Sequence, residues 1–120
     1  MNSKTRTKTQ TIKRGTKKMK DLNTQELKEF ISKENAVVDF HAQWCGPCKM
    51  LGPVFEEIST ELKEINFAKA DIDNVGETAM ELGVRGVPTI ILFKDGKELN
   101  RIVGFVPKET LKTQIKEMYA

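Results

Sequence analysis

The chain is poor in cysteine, histidine and long apolar runs, and each shortage excludes a class of protein. Two cysteines in 120 residues are too few for a small secreted fold held together by disulfides. They stand with a single histidine, so a closed structural zinc site would have to recruit carboxylates, which leaves it the weaker alternative. No apolar run approaches the ~20 residues that span a bilayer. We therefore expect neither a disulfide scaffold nor a membrane protein.

The start of the chain lacks an apolar segment, so we expect no secretory signal. The cytoplasm is then the expected compartment, and there a disulfide is more often catalytic than structural. With 38% apolar and 31% charged residues, the chain has the composition of a soluble globular protein. Its length suits one domain with a core that needs no disulfide staples.

Acidic side chains are missing from residues 1–20, which hold eight of the 20 basic ones. The other 12 basic residues face 17 acidic ones, so the remainder carries a net charge of −5. The basic excess of the whole chain thus belongs to one end. An acidic domain argues against a nucleic-acid partner.

Residues 1–18 differ in composition from the rest, with Ile12 as their only large aliphatic residue. Such a segment cannot bury enough surface to order itself, so we predict a disordered basic tail at 1–18 and one domain at 19–120. A plain solvated extension is the interpretation we favour. The tail could also lie upstream of a protein that initiates at Met19. An organellar address or tether is the weakest interpretation, because an amphipathic apolar stripe is lacking.

Strands and helices alternate through the domain. Asn23 followed by Glu26 is a capping box, which predicts a helix with Leu27, Phe30 and Ile31 on one face. The pattern then predicts a strand at 36–41, a long helix from Cys45, a strand at 65–72 and a short helix at 75–82. It further predicts strands at 89–93 and 99–103 joined by a hairpin turn. The last predicted element is a helix at 107–118 with Leu111, Ile115 and Met118 facing inward. The predicted fold class is α/β, a central mixed sheet with helices on both faces.

Both cysteines lie in the segment WCGPCK at 44–49, directly after the first predicted strand. Two thiols separated by Gly-Pro in a helix's first turn can close a disulfide without moving the backbone. Cys45 would meet the free N–H groups and positive end of the helix, which favours the thiolate and makes it the candidate nucleophile. Cys48, one turn further in, should be more buried and resolve the mixed disulfide. The motif predicts a thiol–disulfide oxidoreductase.

Asp39 interrupts an otherwise apolar strand. If both faces of that strand are buried, the pKa of Asp39 should rise toward neutrality, and its carboxyl could take and return the proton of Cys48. A solvent-facing aspartate on an edge strand is the competing interpretation. Lys69 lies on the strand expected alongside and could modulate this charge, although an exposed lysine at the sheet rim is nearly as plausible. A cis bond at Pro88 would leave the backbone of Val87 open to an incoming chain, but the sequence alone does not predict one.

The segments VDF at 38–40, WCGPCK at 44–49, ADID at 70–73 and GVRGVPT at 83–89 resemble the thioredoxin family, as do FKDG at 93–96 and Val103-Gly104. The resemblance covers about residues 20–120 and implies the thioredoxin fold. It implies that Cys45 is the nucleophile and Cys48 the resolving thiol, with Asp39 and Lys69 as a buried proton-handling pair. It also implies a cis-proline at Pro88. The substrate-binding surface it implies consists of Trp44, Gly46, Pro47, Val87, Pro88 and Gly104.

The Gly-Pro pair between the cysteines resembles reducing members of the family rather than disulfide isomerases. The resemblance implies a monomeric protein-disulfide reductase without cofactor or metal, which carries electrons from a thioredoxin reductase to disulfide-bearing target proteins. One alternative is a specialised reductant for a single partner, with the basic tail as a docking element. Another is a binding module that does not use its thiols. The intact motif argues against the latter, because a scaffold needs neither thiol.

His41 departs from the family pattern, since many members carry an aromatic residue at its position. It follows Asp39 by two residues, which places both on the same face of the strand. We favour a packed neutral histidine that stands in for the aromatic ring. The alternative hypothesis is that the imidazole adds a titration close to the thiols.

Overall fold

Four helices and four strands alternate in the computed structural model, which describes residues 19–120. In chain order they are α1 (Thr24–Ile31), β1 (Asn35–His41), α2 (Gly46–Glu61), β2 (Asn66–Asp71), α3 (Gly76–Glu81), β3 (Thr89–Lys94), β4 (Lys97–Val103) and α4 (Lys108–Met118). All the predicted elements are present, with bounds shifted by one or two residues. The predicted basic tail at 1–18 lies outside the described residues.

The four strands form one mixed sheet in the order β2-β1-β3-β4. β1 pairs in parallel with β2 and antiparallel with β3, and β3 pairs antiparallel with β4. Helices α2 and α4 pack on one face, and α1 and α3 on the other. The predicted fold class is confirmed. Within residues 19–120, no helix has the length and apolar character needed to cross a membrane.

Local signals account for where several elements begin and turn. The Asn23 side chain accepts the Glu26 backbone N–H at 2.8 Å, and the Glu26 side chain accepts that of Asn23 at 2.9 Å, which completes the predicted capping box of α1. The β3–β4 hairpin turns through Asp95 (φ 53°) and Gly96 (φ 86°). Positive φ at both central residues is what a two-residue type I′ turn requires, and Asp-Gly supplies it at little steric cost.

The core consists of two apolar clusters separated by the sheet. Beneath α2 and α4 lie Val37, Leu51, Phe55, Ile58, Leu62, Ile65, Ile90, Leu92, Leu111 and Ile115; beneath α1 and α3 lie Leu27, Ala36, Val38, Phe40, Ala70, Val75, Ala79, Ile91 and Phe93. The prediction that Met118 faces inward is wrong, because its side chain is 39% exposed at the end of α4. The next residue, Tyr119, packs against the core there instead.

A short segment before α1 extends the sheet past β2. Asp21 forms an isolated parallel bridge with Lys69, and the Leu22 N–H donates to the Lys69 carbonyl at 2.9 Å. β2 therefore lies between this segment and β1. The pairing brings Asp21 to the end of the sheet at which β1 leads into the cysteine motif.

Candidate active site

The two cysteines occupy the N-terminus of α2 and are joined by a disulfide, with their Cα atoms 5.3 Å apart. Cys45 is the N-cap of the helix, and its sulfur accepts the backbone N–H of Cys48 at 3.2 Å. Pro47 lies in the first turn, where a residue without an N–H leaves no bond unmade. The Gly-Pro pair thus starts the helix and leaves the first sulfur at its positive end.

The prediction that Cys48 is more buried than Cys45 is wrong. Cys45 is 4% exposed and Cys48 is 5% exposed. Both pack in a small cluster with Ala42, against which Ile72 and Val87 also lie. Cys45 is covered as well because the loop before β3 comes down onto its sulfur, a contact between distant parts of the chain that helical position alone does not reveal.

That loop presents Val87 and Pro88 to the disulfide. The Cys45 sulfur lies 3.6 Å from the Val87 carbonyl oxygen, and the peptide bond between Val87 and Pro88 is cis. Gly104 adopts a φ of 90°, and its N–H donates to the Pro88 carbonyl at 2.8 Å. Val87 therefore contacts Cys45, and Gly104 from a second loop is joined to this place by its bond to Pro88.

Trp44 is an exposed part of this surface. Its side chain is 68% exposed, while its indole N–H donates to the carboxylate of Asp73 at 3.2 Å. Gly46 and Pro47 are exposed beside it. The six residues predicted to bind substrate thus lie around the disulfide, and Asp73, which we did not predict as a site residue, bonds to the Trp44 ring.

Asp39 lies fully buried beneath the motif. It is 0% exposed, and among the described residues neither of its carboxylate oxygens has a hydrogen-bond partner. Burial raises the pKa of Asp39 to about 6, against the opposing influence of the charges on His41 and Lys69. The burial and the raised pKa are what its apolar neighbours in the sequence predicted.

Lys69 lies beside Asp39 but makes its ion pair elsewhere. The two residues are partners in the β1–β2 register, and the Lys69 ammonium lies 3.3 Å from the carboxylate of Glu56. We did not predict Glu56, yet a signal was present, because Cys48, Gly52 and Glu56 recur every four residues and share one face of α2. Gly52 lies beside this pair, since a Cβ there would be in ordinary contact with the Lys69 ammonium at 3.5 Å.

His41 binds a carboxylate rather than packing only against apolar groups. Its Nε2 atom lies 2.5 Å from Oδ1 of Asp21, and its side chain is 9% exposed. The interpretation that we favoured, a packed histidine that replaces an aromatic ring, did not include this contact with Asp21. No local pattern pointed to Asp21, which lies 20 residues earlier and outside the regular elements.

An open cavity of about 580 Å³ adjoins this charged cluster, and Asp21, His41, Cys48, Gly52, Glu56 and Lys69 contribute to its lining. It reaches the second cysteine from the side, between α2 and the β1–β2 edge. Among residues 19–120, no group of three or more His, Cys, Asp or Glu side chains is arranged to hold a metal ion.

Residues 18–117 match the family model described as thioredoxin. The chain belongs to the thioredoxin family. The thioredoxin of Mycoplasmoides gallisepticum is 45% identical over 95 residues, which cover 78% of this chain and 95% of the relative. The thioredoxin of Mycobacterium tuberculosis is 47% identical over 88 residues, 72% of this chain and 76% of the relative.

Solved thioredoxin structures show the same fold. A mutant thioredoxin from Halobacterium salinarum superimposes with a TM-score of 0.76 at 37% identity, covering 85% of this chain and 90% of that one. Mitochondrial thioredoxin 3 of Saccharomyces cerevisiae, in its oxidised form, gives 0.74 at 34% identity, covering 82% and 94%.

Family membership and the redox-active Cys45–Cys48 pair together make the chain a thiol–disulfide oxidoreductase of the protein-disulfide reductase type. Thioredoxins of this type act on disulfide-bearing proteins and receive electrons from a reductase. The predicted enzyme class is confirmed.

Proposed function

We propose that Cys45 is the attacking thiol and Cys48 the resolving thiol of this reductase. The observation that carries the assignment is the N-cap position of the Cys45 sulfur, which accepts the Cys48 N–H at the positive end of α2. In the reduced protein the same groups stabilise a thiolate at Cys45, and only a thiolate attacks a disulfide.

The cycle proceeds in two exchanges. The Cys45 thiolate attacks one sulfur of the target disulfide; the target's S–S bond breaks, and its other sulfur leaves with the electron pair and takes a proton from water. Cys48 then loses its proton and attacks the Cys45 sulfur. The bond between Cys45 and the target breaks, the released target sulfur takes a proton from water so that the target leaves as a dithiol, and the Cys45–Cys48 disulfide is left for a thioredoxin reductase to reduce.

Asp39 receives the proton of Cys48 in the second exchange. A carboxyl whose pKa is about 6 can accept and return a proton at physiological pH, whereas an ordinary carboxylate is a weaker base. Lys69 is a positioning residue that acts through Asp39, because its charge favours the carboxylate form and so opposes part of the effect of burial. The Glu56 carboxylate holds the Lys69 ammonium at that place.

Trp44, Gly46, Pro47, Val87, Pro88 and Gly104 form the substrate-binding surface in this proposal. Its support is the position of these residues around the Cys45 sulfur, with the Val87 carbonyl 3.6 Å from it. A target segment laid over the surface in an extended conformation can pair with the Val87 backbone, so recognition depends on main-chain geometry more than on target side chains. This suits a reductant with many targets.

Several finer parts of the proposal rest on the sequence. We propose a general reductant that acts as a monomer in the cytoplasm, with one catalytic domain at 19–120 and residues 1–18 as a solvated extension. Deleting residues 1–18 separates this from a reductant specialised through its tail. A general reductant keeps its rate with every target, whereas a docking tail loses rate with one of them.

Trapping of target proteins tests the assignment of the two thiols. In Cys48→Ser the mixed disulfide between Cys45 and its target cannot be resolved, so targets should accumulate covalently bound and be seen by non-reducing electrophoresis and mass spectrometry. The matched control Cys45→Ser keeps the other thiol and should trap almost nothing. Equal trapping by both variants, or trapping by Cys45→Ser alone, would reverse or remove the assignment.

A further inference from the structure

We propose that His41 and Asp21 form a proton relay that connects buried Asp39 with solvent through the cavity beside Cys48. The proposal rests on the proposed role of Asp39 as acceptor of the Cys48 proton, and it assigns a function to the histidine that departs from the family pattern. His41 acts through Asp39 and not on the sulfur atoms, so it is a positioning and relay residue.

Asp39 needs a neighbour for its proton exchange. Its carboxyl is 0% exposed, and no hydrogen-bond donor contacts it among the described residues, so it has no direct route to bulk water. His41 follows it by two residues on the same face of β1, toward the cavity. Among the neighbouring charges, that of a protonated His41 lowers the pKa of Asp39 the most, against the larger effect of burial.

Asp21 sets the direction of the imidazole. A carboxylate can only accept a hydrogen bond, so Nε2 of His41 carries the proton that it donates to Asp21 over 2.5 Å. In the neutral ring, Nδ1 is then the nitrogen with a lone pair, able to take a proton. Asp21 itself has a side chain that is 36% exposed. The pair thus has one end in the protein and the other in solvent.

The cavity connects His41 with Cys48 and with solvent. At about 580 Å³ it has room for several water molecules of roughly 30 Å³ each, and its polar lining offers them partners. Cys48 and His41 both contribute to that lining. A short chain of water can therefore link the imidazole to Cys48. Asp39 does not line the cavity itself, and His41, two residues further along the same face, is the residue of β1 that does.

The other charged groups that face this region are already engaged or lie in solvent. Lys69 and Glu56 pair with each other at 3.3 Å. Asp71, the register partner of His41, accepts hydrogen bonds from the Gln43 side chain and the Asp73 backbone. Lys49 lines the cavity but is exposed and carries no lone pair when charged. The imidazole is therefore the group best suited to accept a proton there.

The relay works in the second exchange of the cycle. The S–H bond of Cys48 breaks and the proton passes to the Asp39 carboxylate, while the Cys48 electron pair forms the bond to Cys45. Asp39 then gives the proton to His41 on the same face of β1, and the imidazolium, held against Asp21, releases one proton to the water of the cavity. Cys48 has lost one proton, the departing target sulfur has gained one from water, and His41 and Asp39 return to their starting states.

Single-turnover reduction of a disulfide-containing peptide by the reduced full-length protein tests the relay. Trp44 is the only tryptophan and lies next to Cys45, so its fluorescence reports the change from dithiol to disulfide. We expect His41→Ala to slow this reaction by about tenfold near neutral pH, a fraction of the roughly 10²–10⁴-fold that positioned acid–base groups supply. Imidazole added to the solution should restore the rate by entering the space left by the ring.

Two further variants are matched to His41→Ala. His41→Phe also removes the relay but fills the space, so it should be slow and imidazole should not restore it. Asp21→Asn keeps a hydrogen-bond acceptor for the ring but removes the charge, so its rate should lie between wild type and His41→Ala. A purely structural histidine would predict the opposite pattern, with His41→Phe close to wild type and no effect of imidazole on any variant; that result would overturn the relay.

Asp39→Asn separates failure of the relay from failure of the proposed function. It should be slow whatever residue stands at 41. If Asp39→Asn is slow while both His41 variants keep the wild-type rate and pH profile, the relay is wrong and the role of Asp39 survives. If Asp39→Asn itself reacts at the wild-type rate, the role of Asp39 and the relay are both wrong, while trapping by Cys48→Ser still reports on the thiols.

Discussion

The two faces of β1 carry different kinds of buried side chain toward the end of the strand that leads to the cysteines. On the face beneath α1 and α3, Ala36, Val38 and Phe40 are all apolar and fully buried. On the face beneath α2, the series begins with apolar Val37 and continues with Asp39 and His41, which are 0% and 7% exposed. The first face contributes to stability throughout, whereas the second gives up stability at its active-site end to hold two buried titratable groups.

The energetic contrast is large for residues next to each other in sequence. Burying a side chain such as Phe40 stabilises a fold by roughly 1.5–3 kcal/mol. A carboxyl whose pKa rises from 3.8 to about 6 costs stability once the unfolded chain can ionise, on the order of 3 kcal/mol above neutral pH. Neighbours on one strand therefore contribute with opposite signs.

Phe40→Ala should give the largest effect, a loss of about 3–5 kcal/mol in the free energy of unfolding, because it leaves a cavity in the apolar cluster beneath α1 and α3. Urea unfolding followed by circular dichroism measures it. In conditions where the variant is folded, the reduction potential of the cysteine pair should stay near that of the wild type. A large change in reduction potential without a loss of stability would contradict the claim that this face of β1 contributes to stability alone.

Asp39→Asn should change stability in the other direction, with a gain of about 3 kcal/mol at pH 8. The folded pKa of Asp39 is raised, so ionisation favours the unfolded chain as pH rises from about 4 to about 6, and the penalty then stays constant. The gain from asparagine should therefore fade as pH drops through this window. Urea unfolding of the oxidised proteins at several pH values measures it.

A matched control for Asp39→Asn is Asp95→Asn in the exposed hairpin turn, at a positive φ that asparagine also tolerates. It should change stability little at any pH. An equal gain from both substitutions would show that burial of Asp39 is not the cause.

The sequence predicts those parts of the molecule that depend on neighbours along the chain. The capping box of Asn23 and Glu26 and the turn at Asp95 and Gly96 work through backbone groups only a few residues away. Burial of Asp39 follows in the same way from its apolar neighbours. These signals do not require knowledge of which elements pack together.

The charged cluster beside Cys48 could not be predicted in this way. The Asp21–His41 bond joins residues 20 apart, and it exists because the segment before α1 pairs with the edge of β2. The Lys69–Glu56 pair joins residues 13 apart, on a strand and a helix. Both depend on how separate elements meet. The expected difference in burial between Cys45 and Cys48 was wrong for the same reason.

Tyr119→Phe should give the smallest effect, a loss of about 1 kcal/mol in the free energy of unfolding. The Tyr119 hydroxyl lies 2.8 Å from the Phe93 carbonyl oxygen and 3.1 Å from that of Ala36, at the end of β1 away from the cysteines. Burial raises the pKa of Tyr119 to about 12, so the loss should be constant between about pH 5 and 9. A loss that varies with pH, as the effect of Asp39→Asn does, would contradict the claim that pH-dependent stability is confined to the active-site end of β1.

Direct titration of Asp39 tests the central claim most closely. The carboxyl carbon can be followed by ¹³C NMR in the oxidised protein across the acid and neutral range, with Asp39→Asn used to assign the signal. The structure predicts a midpoint at about pH 6, raised by burial. A midpoint near the ordinary value of about 4 would mean that Asp39 is an unperturbed carboxylate, and it would contradict both the cost assigned to this face of β1 and its role in proton exchange.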